Sequence, residues 1–115
     1  MQVHVNTDES VQGSEGLSRH ASETVKKILD RFGDEITRVE LHLSDQNGPR
    51  GGEADKRCLI EARLAGHDPL AVSETAHSLH QAIDGAARKL RRSLESLYGR
   101  LEDTRRRASV PTPEP

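Results

Sequence analysis

The chain has 115 residues, of which 32% are hydrophobic and only 2% aromatic, so it is long enough for one thin aliphatic core but not for two. No apolar run approaches the ~18 residues that a bilayer-spanning helix needs, so we expect no membrane partner, and we expect no secretory signal peptide at the N-terminus. The charged fraction of 31% and the formal net charge of -2 indicate a very soluble surface that is not basic as a whole.

The first third of the chain predicts one strand and one helix. Val3 and Val5 alternate with polar neighbours over residues 2–6, which predicts a short strand. Apolar side chains then recur at helical spacing over residues 15–31, and Gly33 is the glycine expected after the C-terminus of that helix. The apolar positions of this helix are Leu17, Ala21, Val25, Ile28, Leu29 and Phe32.

The middle of the chain has an apolar period of two, which predicts three further strands. They cover residues 36–44, residues 57–64 and the short segment 70–73, and a turn-rich connection, residues 45–55, joins the first two. The single cysteine, Cys58, falls on an inward position and fits a core thiol in a reducing cytoplasm. The predicted inward residues of the two longer strands are Val39, Leu41, Leu43, Cys58, Ile60, Ala62 and Leu64.

A long helix from Glu74 to Asp103, capped by Ser73 or Thr75, is predicted last. Both amphipathic helices and one sheet face need an apolar partner, so we predict an α+β fold: a two-layer sandwich of order β-α-β-β-β-α, in which a four-stranded sheet carries two helices packed on one face. We expect one domain over residues 1–103 and a basic, proline-containing flexible tail over residues 104–115. The apolar stripe of the last helix is Leu79, Ile83, Ala86, Leu90, Leu94, Leu97 and Leu101.

Positive charge is concentrated on this last helix. Residues 88–107 hold eight basic and three acidic residues, a net charge of +5, whereas residues 1–87 hold nine basic and fifteen acidic ones, a net charge of -6. One basic surface on an acidic body is expected where that surface alone meets a polyanion, although simple solvation of the helix face is the alternative. With Phe32 and Tyr98 as the only aromatic side chains, phosphate contacts to structured RNA are favoured over base stacking. The candidate rRNA-binding residues are Arg88, Lys89, Arg91, Arg92, Arg100, Arg105, Arg106, Lys26 and Lys27.

Other patterns do not indicate catalytic or metal chemistry. The glycine-rich segment 48–52 lacks the Gly-Lys-Ser/Thr of a phosphate loop. His77 is followed three residues later by a second histidine, a spacing that can hold a metal, but there is no second ligand pair. Glu40, His42 and Glu61 share one sheet face, where cross-strand pairs are commoner than a catalytic dyad. We therefore expect no enzyme, no catalytic or metal site, no cofactor and no small-molecule substrate.

Several short segments carry a resemblance to a known family. They are Ala82-Ile83-Asp84, Lys89-Leu90, Arg92-Ser93-Leu94, the strand segment Val39 to Ser44, and the segments Asn47 to Gly52 and Asp55 to Cys58. Together with the order of elements, they resemble the ribosome hibernation promoting factor / ribosome-associated inhibitor family over about residues 1–103, as a short, single-domain member.

The resemblance implies a cytoplasmic bacterial stress protein that occupies the mRNA and tRNA channel of the small ribosomal subunit and blocks translation. It implies rRNA contacts for Lys89 and Arg92, with Arg88 and Arg91 nearby, and it likens residues 105–107 to the basic start of the tail in inhibitor-type members. We expect a monomer off the ribosome. The alternative hypothesis is a protein–protein regulatory module of the same fold that does not bind ribosomes.

Overall fold

The computed structural model describes residues 2–8, 11, 14–45 and 55–109. In chain order the elements are β1 (Gln2–Thr7), α1 (Ser14–Leu29), a 3-10 helix (Asp30–Glu35), β2 (Ile36–Asp45), β3 (Lys56–Leu64), β4 (Leu70–Ala76) and α2 (Leu79–Ser109). The predicted order β-α-β-β-β-α is confirmed. Residues 46–54 of the predicted turn-rich connection, and with them the glycine-rich segment, lie outside the described residues.

The four strands form one mixed sheet in the order β1-β2-β3-β4. β1 runs parallel to β2, with Val3 opposite Val39, because the chain crosses over through α1 between them. The pairs β2–β3 and β3–β4 are antiparallel. α1 packs against β1 and against α2, and α2 packs against β3 and β4, so both helices cover one face of the sheet. The predicted α+β sandwich is therefore confirmed.

The core is aliphatic, as the composition requires, and it lies between the sheet and the two helices. Every second residue of β2 and β3 enters it, and α1 and α2 each contribute one stripe. Cys58 is fully buried among these residues. The largest fully buried side chains are Leu29, Ile36, Leu41, Leu43, Ile60, Ile83, Leu90, Leu94, Val25, Val39 and Cys58.

The predicted start of the last helix is wrong by five residues. Glu74 belongs to β4, where it pairs with Cys58 of β3, and the strand continues to Ala76. α2 begins at Leu79 and is capped by Ser78, whose Oγ accepts a hydrogen bond from the backbone N–H of Gln81 at 3.1 Å. Pairing with β3 extends the strand past the residues that were expected to cap the helix.

The ends of both helices also differ from the sequence prediction. α1 ends at Leu29 and continues as a 3-10 helix, in which Gly33 has a φ of 60° and breaks the helical path before β2. α2 runs to Ser109, six residues beyond the predicted end at Asp103. In the described part of the chain, no helix is both long and apolar enough to cross a bilayer.

Candidate nucleic-acid interface

α2 presents its basic residues outward because its apolar stripe faces the core. Leu90 and Leu94 are fully buried, and Arg88, Arg91 and Arg92 on the turns around them are exposed. Side chains three or four positions apart share a helix face, so one buried stripe determines which residues remain outside. The predicted division between a leucine-bearing inner face and a cationic outer face is present for these three arginines, but not for Lys89.

Arg88 and Arg92 form the open part of this surface. They lie one helical turn apart, both are exposed, and neither pairs with a carboxylate among the described residues. Arg88 and Arg92 line an open depression of about 330 Å³ together with Arg91 and Glu95. Two guanidinium groups without a counter-ion are suited to bidentate contacts with phosphate oxygens.

Arg92 also belongs to a second depression, on the β4 side of α2. This space of about 310 Å³ is lined by Arg92 and Arg100, together with two serines of the helix and Leu70. Arg100 is exposed. The cationic surface therefore continues along α2 for two turns beyond Arg92, although the core ends at Leu94.

Lys89, in contrast, is turned back to the protein. Its Nζ donates a hydrogen bond to the carbonyl oxygen of Ser73 at 2.9 Å and lies 3.3 Å from Oε1 of Glu74. Glu74 is on the helix-facing side of β4, directly beneath α2, so this lysine joins the helix to the edge of the sheet. Its charge is compensated within the fold.

Arg91 is compensated as well. Its Nε donates to Oε1 of Glu95 at 3.0 Å, and Nη1 of Arg31 from the 3-10 helix donates to the same oxygen at 3.0 Å. The hydrogen bond from Arg91 is the main cause that holds the pKa of the Glu95 carboxyl below its usual range, with the charges of both arginines adding to it. The spacing of Arg91 and Glu95 by four residues is readable in the sequence, but Arg31 was not predicted.

The two helices run parallel and in register. His20 of α1 bonds Asp84 of α2 at 2.9 Å, and Arg31 bonds Glu95 at 3.0 Å, a separation of 64 positions in both cases. The first contact links α1 to α2, and the second links the 3-10 helix that follows α1 to α2. The two contacts lie on either side of Lys27 in one segment and of Arg91 in the other.

Lys26 and Lys27 of α1 are exposed and form no ion pair among the described residues. Both line a separate depression of about 400 Å³, whose wall also carries Glu23, Asp30 and His20. The mixed signs make this part of the surface less positive than the α2 face. Arg105 and Arg106 belong to the helical end of α2, but their side chains lie outside the described residues, so their role stays a prediction.

The opposite face of the sheet carries the cross-strand pairs expected there. Glu40 and Glu61 are direct partners across β2 and β3, and Nε2 of His42 lies 3.3 Å from Glu61 Oε1 and 3.8 Å from Glu40 Oε2. Arg38 forms a further ion pair with Glu40 at 2.6 Å. These contacts relieve the repulsion between the two facing carboxylates. Among the described residues no group of histidine, cysteine and acidic side chains has the arrangement of a metal site.

Comparison with known proteins adds to this geometry. The model of the family described as sigma 54 modulation protein / S30EA ribosomal protein matches residues 5–102. A ribosomal subunit interface protein from Coxiella burnetii has the same fold, with a TM-score of 0.72 and 15% identity over 86% of this chain and 99% of that one. The N-terminal domain of Protein Y from Thermus thermophilus superposes with a TM-score of 0.63 and 18% identity, covering 84% of this chain and 94% of that one. No curated protein matches the chain by sequence.

Proposed function

The chain belongs to the sigma 54 modulation protein / S30EA ribosomal protein family, a family of ribosome-associated proteins and not of enzymes, and we propose that it binds rRNA of the small ribosomal subunit. In this proposal the protein occupies the channel of mRNA and tRNA and inhibits translation by occlusion, as a cytoplasmic hibernation factor of the stress response. Residues 1–103 form the binding domain, residues 104–115 add a basic segment of which the first six residues continue α2, and the protein is a monomer off the ribosome.

The observation that carries the proposal is the exposed pair Arg88 and Arg92. Their guanidinium groups have no internal counter-ion among the described residues, whereas Lys89 and Arg91 do. Binding to the rRNA backbone should therefore depend most on the free pair, with Arg100, Lys26 and Lys27 extending the contact. Residues 1–87 carry a net charge of -6, so the long-range field favours approach to a polyanion through the α2 face.

The test is co-sedimentation of the Arg88→Glu/Arg92→Glu variant with purified small subunits. We expect binding to be lost at salt concentrations where the wild type sediments with the subunit, because reversal replaces two phosphate contacts by repulsion. Arg57→Glu/Arg63→Glu, which reverses two arginines of β3 on the opposite face of the sheet and gives the same change in net charge, is the matched control and should sediment nearly as the wild type does. Equal loss in both variants, or loss in neither, would contradict the proposed surface.

Salt dependence separates this function from the protein–protein alternative. Contact with phosphates releases counter-ions, so the logarithm of the binding constant should fall steeply with the logarithm of salt concentration, by a slope of roughly -0.7 to -0.9 per phosphate. A regulatory module that binds a protein through apolar contacts would respond weakly to salt. In vitro translation gives a second readout, since occlusion should inhibit synthesis in proportion to subunit occupancy.

A further inference from the structure

We propose that Glu95 is the resident occupant of a phosphate site formed by Arg31 and Arg91, and that an RNA backbone phosphate takes its place on binding. This inference rests on the proposed function and adds two things to it. It assigns a binding role to Arg31, which lies outside α2, and it assigns to Glu95 the role of an internal competitor that sets the affinity of the surface.

The geometry around Glu95 is that of a bound anion. One carboxylate oxygen, Oε1, accepts hydrogen bonds from Nη1 of Arg31 and from Nε of Arg91, each at 3.0 Å. Guanidinium groups bind carboxylate and phosphate oxygens with the same donors, so a phosphate oxygen at this point would receive both bonds. The two donors come from different helices, the 3-10 helix after α1 and α2, and they converge on one carboxylate oxygen.

Arg31 has a second contact besides Glu95. The guanidinium carbon of Arg31 lies 6.0 Å from the centre of the Phe32 ring, and that ring stacks on Tyr98 of α2 at 5.3 Å between centroids. An arginine resting on an aromatic face keeps part of its orientation when its counter-ion leaves. Arg31 therefore keeps one orienting contact when the carboxylate is removed.

Charge and exposure favour exchange of the carboxylate for a phosphate. Glu95 lies next to the depression that contains Arg88 and Arg92, so the four arginines exceed the single carboxylate by three charges. The side chains of Arg31, Arg91 and Glu95 are 59%, 54% and 41% exposed, and ion pairs this exposed contribute little to stability. The carboxylate can turn into solvent, while Arg88 and Arg92 hold neighbouring phosphates of the same backbone.

The experiment compares Glu95→Gln with Glu15→Gln, an exposed acid in the first turn of α1 that gives the same change in net charge. Binding of a short RNA hairpin is measured at several salt concentrations. We expect Glu95→Gln to bind about 3- to 10-fold more tightly near 0.1 M salt, with a salt slope steeper by about 1 to 2, while Glu15→Gln changes affinity less than about 2-fold.

A double-mutant cycle locates the effect. In an Arg31→Gln/Arg91→Gln background the gain from Glu95→Gln should disappear, because the donors that it frees are absent. A gain that persists in this background, or one that Glu15→Gln reproduces, would show a net-charge effect and overturn the proposal. Weaker binding by Glu95→Gln would also overturn it, since Glu95 would then be a clamp that positions the arginines for RNA.

A separate arm distinguishes RNA phosphate from free phosphate. The side-chain Nε–H signals of Arg31 and Arg91 are followed by NMR in Glu95→Gln during titration with the hairpin and with inorganic phosphate. Shifts with the hairpin at a much lower concentration support a backbone site, and shifts with inorganic phosphate alone overturn it. If wild type fails to bind small subunits while the hairpin results hold, the ribosome proposal fails and the phosphate site stands.

Discussion

Nζ of Lys89 lies 3.3 Å from Oε1 of Glu74, and this contact joins α2 to the helix-facing side of β4. The same lysine donates a hydrogen bond to the carbonyl oxygen of Ser73 at 2.9 Å. A residue that the family resemblance assigns to rRNA contact is thus part of the interface between the helix and the sheet. The cationic helix therefore contains two kinds of basic residue, those that hold the fold together and those that face a partner.

Replacing Lys89 by alanine should lower the free energy of unfolding more than replacing Arg88 does. Lys89→Ala removes one hydrogen bond and one half-exposed ion pair, a loss of about 1 kcal/mol. Arg88→Ala removes no internal contact among the described residues and should stay within about 0.5 kcal/mol of the wild type. Urea unfolding of both variants checks the order. The order should reverse for rRNA binding, where Arg88→Ala is the weaker binder, and equal losses of binding would contradict this division.

Because Glu74 lies close to α2, we predict that Gly85→Ala destabilises the wild type but stabilises a variant that lacks the Glu74 side chain. A Cβ added at Gly85 would lie 2.7 Å from Cγ of Glu74, so Gly85→Ala displaces the glutamate and with it the contact to Lys89. We expect a loss of about 1 kcal/mol or more in the free energy of unfolding. In a Glu74→Ser background the same change should stabilise by up to about 1 kcal/mol, because alanine is the better helix former. The four variants form a double-mutant cycle. Additive effects of Gly85→Ala and Glu74→Ser would show that the Glu74 side chain does not lie against Gly85.

The fold could be predicted from the sequence because its signals are local. Apolar periods of two and of 3.6 identify each strand and helix, and one shared core then leaves few ways to combine them. The start of α2 could not be predicted in this way. Glu74 joins a strand because it pairs with Cys58 of β3, which is distant in the sequence. Residues 74–76 have no pattern that contains this information.

The position of the candidate site could be predicted from the sequence, but not which of its cations pair with carboxylates of the protein. Helical spacing places the basic residues of α2 outward, and this needs no knowledge of the rest of the chain. Whether a given cation is free depends on carboxylates from other elements, such as Glu74 of β4 for Lys89. Arg31 could not be predicted at all, since only the parallel packing of the two helices brings it to Glu95.

The N-terminal cap of α2 gives a prediction that tests the corrected helix start. Ser78→Ala removes the hydroxyl that accepts the backbone N–H of Gln81 and should cost about 1 kcal/mol of unfolding free energy. Thr75→Ala, an exposed strand position that was expected to cap the helix, should cost less than about 0.5 kcal/mol. Thermal unfolding of both variants decides between the two caps. A larger effect of Thr75→Ala would indicate that the helix begins near Glu74.

The buried thiol of Cys58 predicts a loss of stability at high pH. Burial raises the pKa of Cys58 to about 12 from an ordinary value of 9.0. Above pH 9 the unfolded chain releases this proton and the folded protein keeps it, so the unfolded state binds fewer protons and stability falls as pH rises towards 12. The slope from this group approaches 1.4 kcal/mol per pH unit. Cys58→Ala lacks the titration, so its free energy of unfolding should fall less steeply over this window; parallel curves for the two proteins would contradict the assignment.

Neutralising single arginines should show which of them contact a phosphate, because each lost contact changes the salt dependence of rRNA binding. Arg92→Gln removes one phosphate contact and should make the slope of rRNA binding shallower by about 0.7 to 0.9, and Arg100→Gln should do the same if its depression is part of the interface. Arg63→Gln, on the far face of the sheet, should leave the slope unchanged. Filter binding at four or more salt concentrations measures all three variants. A uniform small change in every variant would indicate a diffuse field in place of discrete contacts, because only a group that displaces a counter-ion at its own phosphate changes the slope by a full contact.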